Sequence, residues 1–417
     1  MNQNWRAGEE HDLFTQWALK QGIIVDGVYP ARRPGSGLGL VATRSIKENE
    51  AIVRVPRQVM VTIETLPPSF TSKFPQGTPV HALLAAFFCH GQPEDLERYE
   101  LWRRTWPTRK DFEDSMPMVW AEQSRKLVPL AGLPGLLPPS ISGQWKSIRK
   151  KKIEIEYESS HQNILAQQEQ RLLKAWDSVS AVFPEAKWEN FSYYWLIVNT
   201  RSFFFLSPWQ EPPEDRNDAM AMLPFADYFN HSDEACNVNF DGQEYIFKVA
   251  KAYEVGEEVF MSYGPHPNDF LFTEYGFYLD ANESDALYLD DIVFRDLGPS
   301  LQEELSLQQY LGNYQITAAG ACYRTEIAAC IKYLKLEDWR NYVLGYSTIE
   351  VDATKSEAVI RGWISTYLKE AGVALIDLKN LESSTSSREH RGKVQLLLKR
   401  WKQIEQLCGI ATEAVTC

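Results

Sequence analysis

The sequence predicts an α+β protein, in which a β-rich domain is interrupted by a helical insertion and followed by an all-α C-terminal domain. Short apolar runs bounded by polar turns, typical of strands, recur at 37–42, 51–55, 245–250 and 258–263. Residues from about 67 to 187 show helical texture broken by proline and glycine. Beyond about residue 290, apolar residues recur at helical spacing.

These patterns set the predicted domain boundaries. The β-rich domain is placed at 1–285, with its insertion at about 67–187, and the helical domain at 286–417. A chain of 417 residues suits two domains, or one domain with a large insertion.

The elements are predicted in chain order. A first helix is expected at 9–21, ended by Gly22, and the runs at 37–42 and 51–55 are expected to form an antiparallel pair. Residues 144–176 predict one long surface helix or a helix pair. A buried aromatic helix is expected at 190–205, ending near Arg201, and 211–218 predicts an exposed loop. The C-terminal helices are expected to include 318–334, 355–368 and 391–407.

Composition excludes several classes of protein. A content of 44% hydrophobic and 12% aromatic residues predicts a folded chain, and a net charge of -13 disfavours a dominant nucleic-acid surface. The longest apolar runs are too short to span a membrane and the N-terminus is polar, so we expect an intracellular protein without membrane association. The six cysteines show no CxxC pair, which predicts reduced, mostly buried thiols and no structural zinc.

Chemistry-bearing residues concentrate in a few remote stretches. These are GSGLGLVA at 35–42, LPFADYFNHS at 223–232 and VFMSYG at 259–264, with EYGF at 274–277 just beyond. Taken separately, each has an ordinary structural interpretation: a tight glycine turn, an Asn-His turn, or core tyrosines with hydrogen-bonded hydroxyls. Arg201 alone could simply be a cation favoured near a helix C-terminus.

Together and in this order, the stretches resemble the SET-domain methyltransferases, specifically the branch typified by the Rubisco large-subunit lysine methyltransferase. Residues 225–232 are similar to the family's Asn-His-Ser motif with its preceding Asp, and 262–264 to its catalytic-tyrosine strand. The resemblance covers roughly residues 23–280. The C-terminal third matches only in being helical, where relatives carry a substrate-binding domain. Ser36 departs from relatives that carry Glu, but the implied contact there is through backbone.

The resemblance implies S-adenosyl-L-methionine as the cofactor and a lysine of another protein as the target. The backbone of 36–38 is implied to cradle the methionine end, Arg201 to pair with its carboxylate, and Asn230 and His231 to hold the amine and adenine. The implied cofactor-binding residues are Ser36, Gly37, Leu38, Arg201, Asn230, His231, Tyr275 and Phe277; the implied substrate-binding residues are Phe203, Asp227 and Tyr275; the implied catalytic residue is Tyr263.

The implied chemistry is in-line methyl transfer to a neutral amine. An apolar aromatic channel lowers the pKa of the target lysine by disfavouring its charged form. The Tyr263 hydroxyl would offer an oxygen that favours positive charge and orients the amine. It is not expected to act as a strong base, because an unperturbed tyrosine has a pKa of ~10.

Several alternatives stay open at this point. Relatives that methylate a histidine of actin carry Asn where this chain has Phe203, which favours lysine, but a histidine methyltransferase remains an alternative. A catalytically silent SET-fold binding module is a second alternative, although intact Arg201, Asn230, His231 and Tyr263 argue against it. A purely structural helical scaffold fails to explain why the three stretches occur in the family's order. We expect a non-histone substrate, such as a ribosomal protein or translation factor, a monomer, a cytoplasmic or nuclear location, no nucleic-acid partner and no metal. The C-terminal helices are expected to recruit a folded protein.

Overall fold

The computed structural model describes residues 6–33, 37–126, 133–148, 157, 159, 161–207, 211–213, 218–346, 351–385 and 387–415. The chain forms two compact units. The first comprises Met1–Phe112 and Glu169–Pro265, and the second comprises Glu113–Gln168 and His266–Cys417.

The strands are β1 (Ile24–Val25), β2 (Val28–Arg33), β3 (Gly37–Ala42), β4 (Ala51–Pro56), β5 (Ser202–Phe204), β6 (Met220–Met222), β7 (Asn230–Phe240), β8 (Glu244–Lys248), β9 (Glu258–Met261), β10 (Leu287–Tyr288), β11 (Gln315–Thr317) and β12 (Gly320–Ala321).

The helices are α1 (Glu9–Lys20), α2 (Pro68–Thr71), α3 (Val80–His90), α4 (Pro93–Glu97), α5 (Glu100–Arg103), α6 (Arg109–Ser115), α7 (Pro117–Lys126), α8 (Pro139–Ser142), α9 (Ile164–Val182), α10 (Trp188–Arg201), α11 (Asn268–Tyr275), α12 (Asp290–Asp296), α13 (Pro299–Leu307), α14 (Tyr323–Cys330), α15 (Leu336–Val343), α16 (Ala353–Ser384) and α17 (Arg388–Ala414).

The first unit is built on a seven-stranded sheet, as far as the chain is described, in the order β1-β4-β8-β7-β9-β3-β2. Neighbouring strands run antiparallel except β7 and β9, which are parallel. The parallel pair has an irregular register between His231 and Cys236, both of which face Met261. Such a bulge bends a strand and re-aims its side chains, and here it lies at the Asn-His motif.

The predicted antiparallel pairing of 37–42 with 51–55 is wrong, although both strands form. β3 pairs with β2 and β9, whereas β4 pairs with β1 and β8. β3 is buried along Gly39–Ala42 and therefore needs a neighbour on each side. β9, more than 200 residues later in the chain, supplies one of them through the pair Val41 and Glu258.

Aromatic residues fill the core of the first unit. α3 is buried along most of its length and packs on α10, where the His81 ring stacks on Trp195 at 4.4 Å and its Nε2 lies 3.1 Å from the Trp195 carbonyl. Burial lowers the pKa of His81 to about 3, because a low-dielectric interior disfavours the imidazolium. This core supports α10, whose last residue is Arg201.

The second unit is predominantly helical and is dominated by α16 and α17. At its centre, the fully buried Arg400 donates from Nε to Asp269 Oδ1 and from Nη1 to Asp285 Oδ2, both at 2.7 Å. A buried guanidinium requires such partners, since an uncompensated interior charge is costly. The unit also contains a three-stranded antiparallel sheet, β10-β11-β12, which the helical periodicity did not reveal.

The α+β class is confirmed, with a β-sheet region followed by a helical C-terminal region. The compact units, however, divide the chain differently from the predicted boundaries. Part of the predicted insertion groups with the C-terminal helices, because Trp401 Nε1 donates to the Leu136 carbonyl at 2.7 Å and the Glu370 carboxylate accepts backbone N–H bonds from Lys146 and Ser147.

The helix predicted to begin at residue 144 does not begin there. Residues 144–148 are non-helical, so the prediction is wrong for them, and the described helical part of the predicted segment belongs to α9. Cys236, Cys330 and Cys408 are buried free thiols and Cys89 and Cys322 are partly buried. Across the described parts of the chain, no helix combines the length and apolar character that a membrane crossing needs.

Candidate active site

Asn230 joins the three motif stretches of the first unit. It begins β7, and its Nδ2 donates to the Leu38 carbonyl at 3.0 Å and to Glu258 Oε1 at 2.7 Å. Leu38 belongs to the glycine-rich strand β3, and Glu258 begins β9, which leads to Tyr263. The predicted residues Leu38 and Asn230 are therefore in direct contact, although 192 residues separate them.

The two glycines of β3 have different physical requirements. Gly37 has a φ of 75°, a left-handed conformation that favours glycine. At Gly39, a Cβ atom would collide with Glu258 Oε1 and lie 2.7 Å from Asn230 Nδ2. The backbone of β3 thus approaches these side chains as closely as only glycine permits. Ser36, the other predicted backbone contact, lies outside the described residues.

His231 and Tyr263 form a second contact between the motifs. The Tyr263 backbone N–H donates to His231 Nδ1 at 3.1 Å, and the two rings stack with centroids 5.2 Å apart. His231 is 4% exposed, and burial lowers its pKa, so the imidazole is neutral at neutral pH. Because Nδ1 accepts a hydrogen bond, the ring proton is assigned to Nε2.

The hydroxyl of Tyr263 is oriented by a backbone carbonyl. It donates to the Phe229 oxygen at 2.6 Å. The Phe229 ring stacks on Phe247 at 5.0 Å, and the predicted substrate residue Phe203 packs edge-on against the same Phe247 ring at 6.0 Å. An aromatic cluster therefore supports the carbonyl that holds the tyrosine hydroxyl.

Arg201 lies over a buried carboxylate. Its Nη1 donates to Asp227 Oδ2 at 3.1 Å and to the Asp227 carbonyl at 3.0 Å, and Trp102 Nε1 donates to the same Oδ2 at 3.0 Å. The Asp227 side chain is 2% exposed, and burial raises the pKa of its carboxyl while Arg201 opposes that shift. Asp227 was predicted to bind substrate; the structure places its side chain against Arg201 and Trp102.

A strained turn precedes Asp227. Phe225 has φ 72° and ψ -41°, an unusual backbone for a non-glycine residue that costs about 1–3 kcal/mol. Its fully buried ring packs against Phe14 and Tyr228, at 6.4 and 5.5 Å. Aromatic packing thus holds the turn that sets the direction of the chain between Asp227 and Asn230.

The donor set fits the amino-acid end of S-adenosylmethionine. The Arg201 side chain is 17% exposed, so part of its cationic group can be reached by a carboxylate. Asn230 directs both amide protons at the protein and keeps its Oδ1 as an acceptor for an ammonium. Within the described residues, no group of His, Cys, Asp and Glu side chains could hold a metal ion.

Tyr275 and Phe277 belong to the second unit. Tyr275 is the last residue of α11, which ends at Gly276 with a φ of 79°, and the Tyr275 and Phe277 ring centroids are 6.2 Å apart. A Cβ at Gly276 would lie 2.8 Å from Ser115 Oγ and 2.9 Å from Met116 Sδ. A close approach to neighbouring side chains therefore requires the glycine between the two rings.

Sequence reasoning missed three groups around the site. Glu258 holds Asn230, Trp102 holds Asp227, and the Phe229 carbonyl holds Tyr263. The sequence contains one local indication of the role of Glu258, because a charged residue in an apolar strand is seldom buried unless it is paired. It contains no local indication of the role of Trp102, since 125 residues separate Trp102 from Asp227.

Comparison with known proteins finds a matching family and similar sequences. A family model described as the SET domain matches residues 37–264. The chain is similar to SET domain-containing protein 4 of Homo sapiens, 23% identical over 390 residues that cover 88% of this chain and 83% of that protein. Ribosomal lysine N-methyltransferase set11 of Schizosaccharomyces pombe is 35% identical over 137 residues, 33% of this chain and 34% of that protein.

A likeness to solved structures agrees in fold. The structure of Rubisco LSMT bound to AdoMet matches with a TM-score of 0.60 and 15% identity, covering 98% of this chain and 93% of that one.

Proposed function

Because this chain belongs to the SET-domain family, we propose that it is an S-adenosylmethionine-dependent protein-lysine N-methyltransferase acting on a non-histone protein of the translation machinery. The observation that carries the proposal is the convergence of Leu38, Asn230 and Tyr263 from three remote stretches on one end of the β3-β9-β7 strands. Rubisco LSMT, which has a similar fold, has been solved bound to AdoMet and, in a second structure, bound to sinefungin and monomethyllysine.

The cofactor, when bound, supplies a methyl group on a positively charged sulfur. The residues of this chain bind and orient. Arg201 would hold the cofactor carboxylate, and Asp227 anchors the guanidinium through its Nη1. Asn230 accepts from the ammonium, and His231, neutral because it is buried, adds no repulsive charge near a cationic ligand.

Tyr263 positions the target amine. Its hydroxyl proton is directed at the Phe229 carbonyl, so the oxygen lone pairs are what the hydroxyl presents to a reacting nitrogen. An oriented oxygen stabilises the positive charge that develops on the amine as the new N–C bond forms. Since the hydroxyl serves as an acceptor, this role does not need Tyr263 to ionise.

Phe203 supports lysine as the target. Its ring packs edge-on against Phe247 and offers no hydrogen bond with which to orient an imidazole. An apolar wall suits a neutral amine on an aliphatic stem, because it disfavours the protonated form.

The translation machinery is proposed from the relatives and the charge. Named relatives include ribosomal lysine N-methyltransferases of Schizosaccharomyces pombe and Saccharomyces cerevisiae. A net charge of -13 also favours association with a basic partner. The proposed location is accordingly the cytoplasm, the nucleus, or both.

Two measurements test the proposal. Calorimetric titration of the full chain with S-adenosylmethionine should show one site; an absence of binding would identify a catalytically silent module. Incubation with labelled cofactor and a cell extract, followed by mass spectrometry of the labelled band, should show a methylated lysine on a ribosomal protein or translation factor. A methylated histidine would refute the lysine assignment, and Tyr263→Phe serves as the low-turnover control.

A further inference from the structure

Glu258 is a buried carboxylate beside the site, outside every residue set predicted for catalysis or binding. It begins β9 opposite Val41 of β3, and its side chain is 2% exposed. A carboxylate withdrawn from water is strongly destabilising unless hydrogen bonds or a counter-charge compensate it. The presence of a buried carboxylate next to Asn230 therefore needs a physical explanation.

The contacts of Glu258 are specific. Oε1 accepts from Asn230 Nδ2 at 2.7 Å, and Arg33 Nη1 lies 3.8 Å from Oε2. Within the described part of the chain, no hydrogen bond reaches Oε2. The carboxylate thus makes one short hydrogen bond, and this bond goes to the amide of the asparagine motif.

These contacts determine which way the Asn230 amide points. Its second acceptor is the Leu38 carbonyl at 3.0 Å. Carbonyl and carboxylate oxygens only accept, so the NH₂ end of the amide must face both of them. Oδ1 must then face the other way. A hydrogen bond to an ionised acceptor is roughly twice as strong as one to a neutral acceptor, so Glu258 contributes most to this preference.

We infer that Glu258 is a positioning residue that locks the Asn230 amide with its Oδ1 directed at the ammonium of the bound cofactor. The inference rests on the proposed function. With the amide rotated by half a turn, the NH₂ group would face the ammonium and repel it, and cofactor affinity would fall. Glycine at position 39 leaves room for the contact, because a Cβ there would come too close to both Glu258 Oε1 and Asn230 Nδ2.

The isosteric substitution Glu258→Gln tests the inference. We expect its dissociation constant for S-adenosylmethionine, measured by calorimetry, to rise roughly tenfold, the order expected from weakening one charge-assisted hydrogen bond. The KM for the cofactor should rise in parallel, while kcat at saturating cofactor stays within about twofold, because Tyr263 is untouched. Wild-type affinity in this variant would overturn the inference.

A matched control separates positioning from loss of stability. Glu304 in the second unit is also a buried carboxylate, 5% exposed, and accepts from Arg340 Nε at 2.7 Å. Glu304→Gln should lower the melting temperature as Glu258→Gln does, but leave cofactor affinity unchanged. Equal losses of affinity in the two variants would contradict the inference.

A double-mutant cycle tests whether Glu258 acts through Asn230. Adding Glu258→Gln to Asn230→Ala should produce no further loss of affinity, whereas a full additional tenfold loss would overturn the inference. If Glu258→Gln does not fold, Gly39→Ala disturbs the same contact without changing either group, and wild-type affinity there would equally overturn it. Failure of the wild-type chain to bind cofactor would instead refute the proposed function.

Discussion

Removing the Tyr263 hydroxyl gives a direct test of its assigned role. In Tyr263→Phe the ring remains against His231, but the hydrogen bond to the Phe229 carbonyl is lost. Phe229 is 1% exposed, so its carbonyl is left without the hydroxyl in a buried position. An unsatisfied buried acceptor costs about 1–3 kcal/mol, which lowers the melting temperature by several degrees.

The expected loss of turnover is much larger than this loss of stability. Removing one oriented group that stabilises transition-state charge lowers kcat by roughly 10²–10³-fold. Cofactor affinity should stay within about twofold of wild type, because Arg201 and Asn230 keep their contacts. Single-turnover methylation of the identified substrate, together with calorimetry and thermal unfolding, measures all three quantities.

Tyr193→Phe is the matched control. The Tyr193 hydroxyl also donates to a backbone carbonyl, that of Pro107, at 2.9 Å. Its removal should reduce stability by a similar amount and leave kcat unchanged. If Tyr263→Phe turns over at the wild-type rate, the hydroxyl does not orient the amine; if both variants lose turnover equally, the effect is structural.

Three further outcomes are expected. Asp227→Asn leaves Arg201 without its counter-charge, so cofactor affinity should drop about tenfold. The free energy of unfolding, measured in urea, should fall by about 2–3 kcal/mol. Unchanged affinity would mean that Asp227 does not orient Arg201. Burial lowers the pKa of His81 to about 3, so between pH 6.5 and 3 only the unfolded chain binds a proton at this residue. The free energy of unfolding should therefore fall as the pH falls, by about 2 kcal/mol at pH 5. His81→Asn should remove that part of the pH dependence. Arg400→Met leaves two buried aspartates without their counter-charge. The free energy of unfolding of the second unit, measured in urea, should fall by about 3–5 kcal/mol. Neutralising both aspartates should partly reverse this loss.

The local pattern of apolar residues predicted most helices and strands, but it did not predict which strands pair with each other. β3 and α10 form where the apolar runs indicated, since burial on both sides of a strand or along a helix shows directly in the sequence. The pairing of β3 with β9 has no local signal, because it depends on which distant strand covers a given edge. β7 was missed as a strand altogether, because it begins with the polar pair Asn230-His231 and its pairing with β9 is irregular.

The candidate site divides in the same way. The motif order, through its resemblance to a family, indicated Arg201, Asn230 and Tyr263, and the structure shows Asn230 meeting β3 and Tyr263 meeting His231. The resemblance assigned Asp227 to substrate binding, and its motif position carries no information about the burial of its side chain. Its contacts with Trp102 and Arg201 became visible only in three dimensions.

A common rule connects the oriented groups of the site. Asn230 directs its donors at Leu38 and Glu258, and Tyr263 directs its proton at Phe229, so acceptors within the protein take up the donors of both side chains. Arg201, which can only donate, supplies the opposite chemistry. Under the proposed function, the Asn230 and Tyr263 oxygens and the Arg201 guanidinium together suit a ligand that combines a positive centre with a carboxylate. We therefore expect ligand affinity to depend on the hydrogen-bond partners of these side chains within the protein, so that substitutions at Glu258 and Asp227 change it.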